Sequence, residues 1–203
     1  MRFFRRRRPT VSDPPRPRLG GPAEVWLSRG ERTVASLQAL PVSMPSGPTA
    51  DRLDDVGSGA GQAVEQLRVL AGRVTLVETA IARIPSPQLT ERRDRCRREL
   101  AAAAPDRQAE LGRTLEEIDS QLAADARLRT TRQDLLTRME SAVLGLEGLL
   151  TRATEVSVAG AGIGADEPAT GEITRLSDEL EGLRSGLEET SRLTKGVFTP
   201  PTT

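Results

Sequence analysis

From Leu53 onward, apolar or small residues recur at 53, 56, 60, 63, 67, 70, 74, 77, 81 and 84. They are Leu, Val, Ala, Ala, Leu, Leu, Val, Val, Ile and Ile, and the steps alternate three and four residues. A helix built on that spacing presents one continuous apolar seam to a neighbouring helix. The same frame returns at Leu111, Leu115, Ile118 and Leu122, then at Leu136, Met139, Val143, Leu146, Leu150 and Ala153. Between those two runs it falls on Asp125, Arg129 and Arg132, charged residues where apolar ones belong. Leu128, Leu135, Ala142 and Leu149 form a second stripe beside the seam. The apolar face therefore widens toward the C-terminal side, as suits contact with more than one helix. A last three-four run places Ile173, Leu176, Leu180, Leu183 and Leu187 together.

Breakers divide the pattern. Residues 1–22 are rich in Arg and Pro and read as a disordered tail. Residues 23–40 read as a short helix with Trp26, Leu27, Val34 and Leu37 on its apolar side, weakened at Gly30 by about 1 kcal/mol relative to Ala. Residues 41–48 read as a linker. Residues 49–157 read as an antiparallel hairpin of helices over about 49–84 and 87–157, turning at Ile84-Pro85-Ser86-Pro87. Thr49 or Asp51 is the expected cap of the first of these helices, and Gly57, Gly59 and Gly61 are expected to soften its first turns. Ser86 is the expected cap of the second, with a kink or break at Pro105. Residues 158–171 read as a Gly/Ala loop, 172–195 as a third helix and 196–203 as a disordered tail.

Folding the hairpins on paper sets Leu53 near residue 119 and Leu187 near residue 141. Positions 125, 129 and 132 then lie between the reaches of two arms, where a polar residue meets water. The competing reading gives Asp125, Arg129 and Arg132 a partner-binding or register-setting role. The fold class predicted is all-α: elongated antiparallel helical hairpins or a three-helix coiled-coil bundle with disordered termini. A compact bundle with overlapping arms is the alternative arrangement.

Composition narrows the chemistry. The chain has no His, no Tyr, one Cys, one Trp and three Phe, so a core must be built from aliphatic side chains. Without His, no Ser-His, Cys-His or His-metal arrangement is available. Carboxylates sit at helical spacing from arginines, as solvated pairs. The expectation is a protein that is not an enzyme and takes no cofactor or metal. A Gly-rich run at 158–165 lacks the Lys-Ser/Thr ending of a phosphate loop. Lys195 is the only lysine, and Ala and Gly are abundant, a bias expected of GC-rich bacterial coding.

Charge is uneven. Residues 1–22 carry seven arginines and one acid, a net of +6, and the remainder carries −6. Arg2, Arg5, Arg6, Arg7 and Arg8, with Phe3 and Phe4 for interfacial insertion, form a candidate contact for anionic lipid. The same charges suit nucleic-acid phosphates, and a plain solvated terminus is the third reading. MRFFRRRR has the charge of a signal-peptide n-region, but TVSDPPRPRLGGP follows where an apolar segment is required. No apolar run approaches the roughly 18 residues of a membrane span. The expected location is cytoplasmic, extending to the inner face of the cell membrane. Cys96, among the arginines of TERRDRCRREL, is either a thiol activated by positive charge or a small apolar filler.

LRTTRQDLLTRMESAVLGLEGLLTRATEVSV and, after a gap, EITRLSDELEGLRSGLEET resemble the soluble coiled-coil region of actinobacterial phage-shock envelope-stress accessory proteins. The resemblance covers about the last 75 residues well and residues 53–122 loosely. It implies a helical hairpin, a partner-binding role at the inner membrane face and coiled-coil protein partners, and it supplies no catalytic residue. Together these observations predict a non-enzymatic scaffold or regulatory adaptor that pairs with itself or a protein partner through its seams. A nucleic-acid-associated protein gripping phosphates with its tail is the alternative.

Overall fold

The structure, a computed structural model, describes residues 20–43, 46–160 and 166–197. The lipid or phosphate contacts expected at Arg2, Phe3, Phe4, Arg5, Arg6, Arg7 and Arg8 lie outside the described residues. The fold is all-α. In chain order the helices are α1 (Pro22–Ala39), α2 (Pro48–Ala82), α3 (Ser86–Ala102), α4 (Pro105–Gly160) and α5 (Asp166–Val197), with a 3₁₀ turn at Pro41–Ser43. Prolines open α1, α2 and α4, and Pro87 lies in the first turn of α3. There the missing N–H costs nothing, because the first turn has no intrahelical acceptor for it.

Four segments close a core. α1 and α5 each pack against both α2 and α4. One contiguous cluster takes Leu27, Val34 and Leu37 from α1, then Leu53, Leu67, Leu70, Val74 and Val77 from α2. Leu135, Met139, Val143, Leu146 and Leu149 of α4 join it, with Ile173, Leu176, Leu180 and Leu187 of α5. The widened stripe on α4 exists because this half of the helix meets three neighbours.

The glycines expected to soften α2 are contact points instead. Gly57 packs on Gln38, whose side-chain amide donates to the Gly57 carbonyl at 3.2 Å. Gly59 leaves room for Leu180, and Gly145 for Leu183, letting α5 approach the other helices. Gly30 is buried where α1 crosses Leu67 and Val143. α2 begins at Pro48 with Gly47 at its N-cap, so neither Thr49 nor Asp51 caps it; Asp51 lies within the first turn.

The main correction concerns the turn. Arg132 bonds Glu78 at 2.8 Å, and Arg97 pairs with Asp119 at 3.6 Å. The Cys96 thiol donates to the Leu111 carbonyl at 3.4 Å. Each facing pair is centred near residue 105, so the chain reverses at Ala103–Ala104 and not at 84–87. Pro85 ends α2, yet α3 continues in the same direction along α4. Prolines interrupt a helix without dictating a reversal. At the true turn, Ala103 is extended (φ −80°, ψ 146°) and Ala104 precedes Pro105, a position biased away from helix.

Leu53 therefore packs in the core and not against residue 119. α5 does turn back as expected: Arg138 donates to Thr190 at 2.6 Å, and Arg152 pairs with Glu179. It also starts earlier than the sequence pattern indicates, with Pro168 tolerated in its first turn. Likewise α4 continues to Gly160.

The result is a four-helix body with a two-helix arm. The body holds α1, α2, α5 and the second half of α4; the arm is α3 against the first half of α4. At about 1.5 Å per residue, the 56 residues of α4 extend about 84 Å through both parts. Gly21 and Pro22, at the start of α1, lie beside Glu78, Ile81, Arg129 and Arg132, at the waist between body and arm. Val197 ends α5 seven residues beyond Thr190, at the same waist.

Candidate functional site

The arm and waist gather the residues that the sequence marks as odd. In the arm seam, Leu89, Cys96 and Ile118 are buried. Leu100, Leu111, Leu115 and Leu122 are only half-buried, because two helices cannot enclose a seam that four can. Arg92, Arg95, Arg97 and Arg98 of α3 are exposed. A groove on one side of the arm has Leu89 and Ile118 at its base and Arg92, Glu110, Arg113 and Glu117 at its rims. Cys96 is 5% exposed and sits inside this seam, facing Leu111 of α4.

At the waist the expectation of an uncovered, solvated stretch holds for Arg129, which is exposed, but not for Asp125 or Arg132. Asp125 is 6% exposed although it is charged. It lies opposite the joint between α2 and α3, where Ser86 of α3 approaches its carboxyl. Arg129, one turn on, donates to Asp125 Oδ2 at 2.9 Å, while Oδ1 has no hydrogen-bond partner. The Arg129 hydrogen bond holds the Asp125 carboxyl below the usual carboxylate range, against the opposing effect of burial. Ser86 and the Arg129 charge act in the same direction. Ser86 is the first residue of α3, and no side chain caps that helix by hydrogen bonding, so the cap expected of Ser86 does not form. A carboxylate beside a helix N-terminus is favoured by the helix dipole. Arg132 reaches across to Glu78 near the end of α2. Asp125 and Arg132 thus meet the two chain segments flanking the joint. Arg129 serves Asp125 and is itself 60% exposed.

Sequence reasoning missed Glu78 and Glu147, and gave Ser86 a capping role only. Glu147 makes a two-pronged pair with Arg29, one contact of it 2.7 Å, and Arg29 lies 5.3 Å over the Trp26 ring. None of these carries a local signal, since each partner comes from another helix. Among the described residues no group of three or more His, Cys, Asp or Glu could hold a metal ion, and no helix is long and apolar enough to cross a membrane.

Fold and site together define an all-α bundle with a projecting charged hairpin. Comparison with protein-family models, with curated proteins and with solved structures returned no match.

Proposed function

We propose that this chain is a non-enzymatic scaffold or regulatory adaptor. Its body is a closed bundle, and its arm offers a charged, incompletely covered seam to a protein partner or a second copy. The observation that supports this reading is the division of one continuous helix, α4, between a sealed core and that open arm. The arginine-rich residues 1–22 supply a net +6 for peripheral contact with anionic lipid at the cytoplasmic face of the membrane. The resemblance of residues 128–190 to phage-shock accessory proteins supports a place in the bacterial envelope-stress response.

Flotation with anionic and neutral liposomes, comparing the full chain with one starting at Gly21, tests the membrane part. The full chain is expected to float with anionic vesicles only, and to lose that association at high salt or on truncation. A full chain that stays at the bottom of the gradient rejects membrane contact. A gel shift of nucleic acid that disappears with residues 1–20 then supports the phosphate-binding alternative.

A further inference from the structure

α3 is the helix with the least hold on the molecule. Of its 17 residues only Leu89 and Cys96 are buried, and neither belongs to the core cluster. Its packing is against α4. Both of its ends are breaks in the helical ladder, at 83–85 before it and at 103–104 after it. The one side-chain ion pair that joins it to α4 among the described residues, Arg97–Asp119, is half exposed on both sides and contributes little. Leu89, in its first turn and a half, is one of its two apolar anchors, and Asp125 faces the Ser86 end beside it. A buried carboxylate with one oxygen unpaired is costly unless something cationic repays it. Here Arg129 supplies the cation, and the Ser86 side chain at the start of α3 approaches the same carboxyl.

We propose that α3 is a releasable strap: it opens as a unit about its two breaks while the four-helix body stays folded, and Asp125 is the latch at its base. Release uncovers the seam of Leu111, Leu115, Ile118 and Leu122 on α4. α4 itself stays anchored, because its second half is locked in the core. Segments with few buried apolar contacts open below the global unfolding free energy, and α3 meets that condition better than any other helix here. The strap stands on packing and the latch on the contacts of Asp125, and neither requires the adaptor reading; if that reading holds, the uncovered seam is the surface on offer.

Native-state hydrogen exchange on the full chain, at low and rising denaturant, tests it. Amides of residues 89–102 are expected to exchange through an opening about tenfold or more frequent than that of residues 67–77 in α2. Asp125→Asn is expected to raise exchange in 89–102 by a further factor of about five, with 67–77 unchanged. Arg129→Gln, at an exposed position that leaves the core intact, is expected to move the same amides in the same direction. If α3 exchanges only with the global transition of α2, the strap is overturned. If both variants leave α3 amides unchanged, the latch is overturned.

Discussion

Asp125 sits at a seam position where Leu would satisfy the heptad, and its neighbours explain the exception. Its carboxyl is held below the usual carboxylate range by Arg129 first, with Ser86 assisting. A group whose folded pKa is depressed contributes stability above its unfolded value, near 3.9, and loses it as pH falls through the folded value. Backbone amide shifts of Ser86, Gln88 and Leu89 are therefore expected to stay constant from about pH 8 to pH 5 and to move below about pH 4. Arg129 stays charged throughout, so the carboxylate is the titrating partner. Glycines give a second residue-scale contrast. A Cβ at Gly182 meets nothing within 4 Å, so Gly182→Ala is expected to stabilise by about 0.5–1 kcal/mol through helix propensity. At Gly30 the same Cβ would stand 3.1 Å from Leu67 and 3.4 Å from Val143. Gly30→Ala is expected to raise the melting temperature less than Gly182→Ala does, because Leu67, packed in the core, must give by a few tenths of an ångström.

At the scale of elements, α2 was the most legible, because its three-four spacing runs unbroken and every seam residue from Leu53 to Val77 is buried. Leu70→Ala is expected to cost about 2–5 kcal/mol in denaturant unfolding followed by circular dichroism. Leu115→Ala, half-buried on the arm, is expected to cost about 1 kcal/mol. The hairpin turn was not legible. Pro85-Ser86-Pro87 and Ala104-Pro105 both break a helix, and nothing local says which break reverses the chain. That choice is made by which pairing aligns Glu78 with Arg132 and Leu67 with Val143. The charge of Asp125 and Arg132 was visible as an irregularity, but its meaning depends on partners 39 and 54 residues away in sequence. Cys96 was ambiguous for the opposite reason: its neighbours in sequence are arginines, whereas the neighbour that matters, Leu111, comes from α4.

At the scale of the whole molecule, the arm makes the protein long. A compact globule of the length that starts at Gly21 has a radius of gyration near 16 Å. Small-angle scattering from a chain starting at Gly21 is expected to exceed that clearly, with a maximum dimension of at least about 80 Å. A value near the compact figure would mean that the arm folds back on the body. The start of α1 and the end of α5 both lie at the waist, with the arm tip toward one extremity and the end of α4 and start of α5 toward the other. Anything that grips the chain by the segment before α1 thus holds it at mid-length, like a beam on a pivot. Both extremities then swing free on opposite sides of the anchor, and a push on either is carried by α4 straight through the fulcrum to the other.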